Sequence, residues 1–131
     1  MIEEYFTIEN RITDGDKVIF SVALNPNHKV YKGHFPDIPV SPGVCNIQMI
    51  RECIQQLTGK KLLIDSIAQC KFSSIITPVE NPKLLIWVQM SETEEKRYKA
   101  QVNITNPDNS VKFIDFKAEF SIVESNIDEI V

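Results

Sequence analysis

The sequence is poor in the residues that mark several specialised classes. It has three cysteines and two histidines in 131 residues, and no Cys-x-x-Cys pair. Cys45, Cys53 and Cys70 stand apart from His28 and His34, so neither a disulfide framework nor a zinc or redox site is expected, and the cysteines read as packing residues. Positive charge is not in excess: 14 Lys and Arg face 18 Asp and Glu, a net charge of −4. The basic residues are scattered, which leaves no stripe for nucleic acid. The apolar runs are far too short for a bilayer span. The opening Met1-Ile2-Glu3-Glu4-Tyr5-Phe6 lacks the basic head and apolar run of a secretory signal, so a reducing, cytosolic compartment is the expectation. No internal repeat or low-complexity tract occurs.

What remains fits one folded domain over residues 1–131, with a hydrophobic content of 43%. Tyr5–Thr13 and Lys17–Leu24 read as strands joined at Asp14-Gly15-Asp16, a good turn signal. Asn25-Pro26-Asn27 ends the second, and a loop stiffened by Pro36, Pro39 and Pro42 follows. Ser41-Pro42 reads as an N-cap and first helical residue. The helix is expected from about Pro42 to Thr58, stopping at Gly59. Ile47, Met49, Ile50, Cys53, Ile54 and Leu57 share its apolar face, and Gln48, Arg51, Glu52, Gln55 and Gln56 its polar one. Strand-like runs then occupy Leu62–Ile76, Leu84–Gln89, Tyr98–Thr105 and Val111–Val123, with a break at Pro78–Pro82 and a hairpin loop at Asn106-Pro107-Asp108-Asn109. The tail from Glu124 is acidic and reads as frayed. The order β-β-helix-β-β-β-β predicts an α+β fold, an antiparallel sheet of about six strands curved around one long helix.

The stretch from Gly33 to Val44 carries the chemistry. It reads Gly-His-Phe-Pro-x-x-Pro-Val-x-Pro-Gly-Val, with nine fixed positions, and it closely resembles the signature of the 3-hydroxyacyl-acyl-carrier-protein dehydratases of fatty acid synthesis. More weakly, Ile67–Val79 is similar to that family's segment ending in a proline-valine turn. The resemblance implies the hotdog fold, dimers with active sites at the subunit boundary, and loss of water from a 3-hydroxyacyl thioester to give the trans-2-enoyl thioester. His34 matches the family's catalytic histidine, and an imidazole that titrates near neutrality suits removal of the C2 proton. Backbone N–H groups at the helix start would polarise the thioester carbonyl. Gly43 would admit close approach of the acyl chain or the phosphopantetheine arm. Tyr31 and Phe35 are candidate tunnel walls, and Gly33, Pro36, Asp37 and Val44 complete the expected substrate-binding set. His28 reads as a solvated loop residue.

Two positions depart from the pattern. The family's second catalytic residue is a helix carboxylate five positions after the Pro-Gly-Val glycine, and that position is Gln48. Glutamine cannot donate a proton at neutral pH, and a general acid is worth about 10²–10⁴-fold in rate. Asp37 stands where the family has glycine, adding negative charge near a forming enolate. Three accounts follow: His34 serves as base and acid with Gln48 orienting substrate; Glu52, one turn beyond Gln48, supplies the acid; or the chain is a non-catalytic hotdog subunit. The resemblance implies an acyl carrier protein as partner, its substrate belonging to fatty acid synthesis or to a divergent route such as aryl polyene assembly. Lys29, Lys32, Arg51, Lys60 and Lys61 are candidates for a basic rim facing that acidic partner. No cofactor or metal is expected beyond the carrier's phosphopantetheine. A hotdog thioesterase is the remaining alternative.

Overall fold

Asp14-Gly15-Asp16 reverses the chain as expected, with Gly15 at φ +65°, a left-handed conformation that glycine adopts at little cost. This is one element of a computed structural model that describes residues 5–31, 40–93 and 96–123. The turn joins β1 (Phe6–Asp14) to β2 (Lys17–Leu24). A short 3-10 turn (Lys29–Tyr31) follows, then α1 (Gly43–Thr58), β3 (Leu62–Phe72), β4 (Lys83–Thr93), β5 (Arg97–Thr105) and β6 (Lys112–Ile122).

The six strands form one antiparallel sheet in the order β1-β2-β4-β5-β6-β3. The chain therefore leaves the sheet at β2, traverses as α1, and re-enters at the opposite edge as β3. Strand alternation puts Phe20 and Val22, Leu84, Ile86 and Val88, Val102 and Ile104, and Ile114, Phe116 and Phe120 into one core with Met49, Ile50, Cys53 and Ile54 of α1. Burial of each large side chain contributes about 1.5–3 kcal/mol, so the helix is held by its apolar face. This is the curved sheet around one helix that the element order predicts, and the hotdog fold that the resemblance implies.

The differences in detail have local causes. β3 ends at Phe72 rather than Ile76, because Ser73 N–H donates to Phe113 O (2.8 Å) and Ile76 O accepts from Ser41 N–H (2.8 Å). β3 also bends at two bulges, between Ile64 and Ser66 and between Ile67 and Gln69. β4 runs on to Thr93, paired with β5 from Leu85 to Thr93. Gly59 closes α1 as expected, at φ 71° with its N–H on Gln55 O (2.8 Å). The tail from Glu124 lies outside the described residues.

Candidate functional site

The start of α1 is built differently from the expected cap. Pro42, not Ser41, is the N-cap, at φ −65° and ψ 144°, and no side chain caps the helix. Pro42 O accepts from Cys45 N–H and Asn46 N–H, both at 3.1 Å. Ser41 is buried, and its hydroxyl meets Tyr31 Oη at 3.0 Å instead. A side chain turned toward Tyr31 is not available to the helix, which displaces the cap by one residue.

A cavity of about 350 Å³ opens at this helix start. Ser41, Gly43 and Asn46 form one side; Phe72, Ile75 and Ile76 form the other. Gly43 is there for space. A Cβ on it would lie 3.0 Å from Phe72 Cζ, closer than ordinary van der Waals contact.

Behind the cavity lies a buried polar and aromatic cluster. Tyr5 Oη–H donates to Asn46 Oδ1 at 2.8 Å, and both residues are buried. Tyr5 stacks on Tyr31 (centroids 6.2 Å apart) and meets His28 edge to face at 5.6 Å. Burial of the Tyr5 phenol pushes its pKa well above the ordinary tyrosine range, so it stays a proton donor. His28 is half-buried and Nδ1 accepts from Val30 N–H at 3.0 Å, so it is an ordered turn residue rather than a solvated one.

Of the expected site residues, Gly43 lines the cavity and Tyr31 stands one layer behind it, bonded to Ser41. Gln48, Glu52 and Val44 do not line it. Val44 is 66% exposed, and Gln48 and Glu52 are half-buried on the polar side of α1. Arg51 Nε–H donates to Gln48 Oε1 at 3.1 Å, and its Nη1 donates to Leu62 O at 2.8 Å. That guanidinium is therefore engaged within the chain. Lys29, Lys60 and Lys61 are exposed. Gly33, His34, Phe35, Pro36 and Asp37, with Lys32, lie outside the described residues.

Sequence reasoning missed Asn46, Phe72, Ile75 and Ile76. Only Asn46 left a signal: a polar residue at helical spacing from Met49, Ile50 and Cys53, inside an otherwise apolar face. A larger groove, about 610 Å³, crosses β4, β5 and β6 but is lined by charges of both signs, among them Lys99, Lys117 and Glu119, and does not reach α1. Among the described residues no cluster of His, Cys, Asp or Glu is arranged to hold a metal. No described helix is long and apolar enough to cross a membrane.

Residues 10–113 match the family model "ApeI-like: ApeI dehydratase". A 3-hydroxyacyl-[acyl-carrier-protein] dehydratase FabZ of Thermoanaerobacter pseudethanolicus is 28% identical over 74 residues, covering 51% of this chain and 52% of that protein. The FabZ of Lactobacillus helveticus is 21% identical over 102 residues, 72% of this chain and 69% of that one. The chain thus spans about half the length of some of the curated relatives it matches. Among solved structures, the dehydratase heterocomplex ApeI:P from Xenorhabdus doucetiae superposes with a TM-score of 0.66 at 19% identity, covering 88% of this chain and 96% of that one. A putative thioesterase, yhdA from Lactococcus lactis, gives 0.68 at 10% identity over 95% and 98%. The structural likenesses establish the hotdog fold, and the family match over most of the sequence establishes more: the chain belongs to the ApeI-like dehydratase family.

Proposed function

We propose that this chain removes water from a 3-hydroxyacyl thioester carried on the phosphopantetheine of an acyl carrier protein. The observation that carries the reading is the cavity at the start of α1, walled by Gly43 and Phe72 and continuous in sequence with the His34 motif. His34 takes the C2 proton as base. The C2–H electron pair becomes the C2=C3 bond, the C3–O bond breaks, and the hydroxyl leaves as water with a proton. Backbone N–H groups at the start of α1, which no side chain caps, favour the negative charge developing on the thioester oxygen. Gln48 cannot supply the proton, so His34 returns it, with Glu52 on the same side of α1 as the other candidate acid.

A second reading follows from the chemistry of one position. Gln48 has no acidic proton, and Arg51 occupies its amide oxygen at 3.1 Å, so this position of α1 supplies no acid. In that reading the chain is a non-catalytic hotdog subunit paired with a catalytic one. The neighbour described as the heterocomplex ApeI:P lends support to pairing of this kind. Exposed Leu63 and Ile67 on the open edge of β3 supply apolar surface for a second subunit, identical or not. A thioesterase is the weakest alternative, since likeness at 10% identity speaks only to fold.

The test is mass-spectrometric detection of the enoyl product from 3-hydroxyacyl carrier protein, with purified wild type and His34→Ala. Turnover by wild type alone, lost in His34→Ala, supports the enzyme. Background product from both removes that reading in favour of the subunit.

A further inference from the structure

We infer that Asn46 is a substrate-binding residue whose side-chain amide donates to the thioester carbonyl of an acyl chain in the cavity at the start of α1, with Tyr5 as the positioning residue that fixes the amide. The identity of the ligand rests on the dehydratase reading above; the donor itself rests on geometry.

Asn46 is 3% exposed and borders the cavity. Its two polar atoms have different fates. Oδ1 accepts from Tyr5 Oη–H at 2.8 Å. Among the described residues no group accepts from Nδ2. Yet no described side-chain nitrogen or oxygen is both sealed from the surface and unbonded. The amide nitrogen therefore opens onto the cavity that its residue lines.

A buried amide donor without an acceptor is costly, and native proteins seldom leave one. The opposite wall sets Ser73 and Ser74 among Phe72, Ile75 and Ile76, and neither serine accepts from Nδ2. An NH₂ group needs an acceptor, and a thioester carbonyl oxygen is one that brings no proton of its own to compete. Such a bond would draw electrons from the carbonyl and add to the field of the neighbouring helix start. Tyr5 holds the amide in this orientation. Its hydroxyl remains protonated because burial disfavours the phenolate, and it donates to Oδ1, which turns the nitrogen away from Tyr5.

The test compares binding of S-butanoyl-pantetheine with that of S-butyl-pantetheine, in which a methylene replaces the carbonyl. Neither ligand can eliminate water. The readout is the ratio of the two affinities, which cancels any general loosening of the fold. Wild type should prefer the thioester by about ten-fold or more. Asn46→Leu should bring the ratio close to one, and Tyr5→Phe should lower it to an intermediate value. Tyr5→Phe/Asn46→Leu removes both partners, leaves no orphaned polar group, and should also read close to one. A wild-type ratio in the paired variant overturns the inference. If the ratio collapses while the protein shows no turnover, the dehydratase reading fails and the binding role stands; turnover with an unchanged ratio gives the reverse.

Discussion

Arg51 and Gln48 are joined through Nε–H and Oε1 at 3.1 Å, one turn apart on the polar side of α1. Gln48, where the resemblance implies a helix carboxylate, is thus held by a cation that also reaches Leu62 O across the helix-to-β3 junction. A carboxylate installed there would face a guanidinium. That pairing favours the ionised form and works against a proton donor.

For this reason Gln48→Glu alone should raise the elimination rate less than about ten-fold. Combining it with Arg51→Gln should release the carboxyl and bring the gain toward the roughly 10²-fold typical of a general acid. Steady-state rates for both variants check this. A full gain from Gln48→Glu alone would mean that Arg51 does not govern the position.

Gly43→Ala probes the floor of the cavity. The added Cβ would come within 3.0 Å of Phe72 Cζ, but that ring is 51% exposed and free to swing. Stability by urea unfolding should change by less than about 1 kcal/mol, because helix propensity gained at this position offsets the contact. Acyl-thioester affinity should fall several-fold, since the displaced ring is one wall of the cavity. Gly43→Ala/Phe72→Leu should restore it.

Alkaline pH should unfold the protein through two buried acids. Burial raises the Tyr5 phenol and the Cys53 thiol well above their ordinary values. Each contributes stability that is complete below its unfolded pKa and is lost as the pH rises toward the folded one, because the unfolded chain releases a proton that the native chain retains. The loss begins near pH 9 for Cys53 and near pH 10 for Tyr5, at about 1.4 kcal/mol per pH unit for each group. Unfolding free energies from pH 8 upward should show this slope, shallower above pH 10 in Tyr5→Phe. A flat profile would contradict the burial assigned to both groups.

The fold was legible because its signals are local. The Asp14-Gly15-Asp16 turn, the helical spacing of Met49, Ile50, Cys53 and Ile54, and the stop at Gly59 each follow from neighbouring residues. The site was less so. Its cavity joins residues 41–46 to residues 72–76, a pairing set by sheet order, with β3 at the edge opposite β1. Ser41 read as a cap because only its neighbours were visible, whereas Tyr31 claims its hydroxyl. Likewise Ile75 and Ile76 read as strand, since β-branched residues in a row do not reveal where pairing ends. Asn46 has no place in the sequence pattern, because its meaning depends on Tyr5, far away in sequence.

The most direct test of the central claim isolates the first half of the reaction. Incubated in deuterium oxide with 3-hydroxybutanoyl-pantetheine, the protein should exchange the C2 hydrogen of the substrate well above the buffer rate, and His34→Ala should return exchange to that rate. Equal exchange in the two proteins would contradict the account, for it would mean that His34 takes no proton from the carbon beside the thioester.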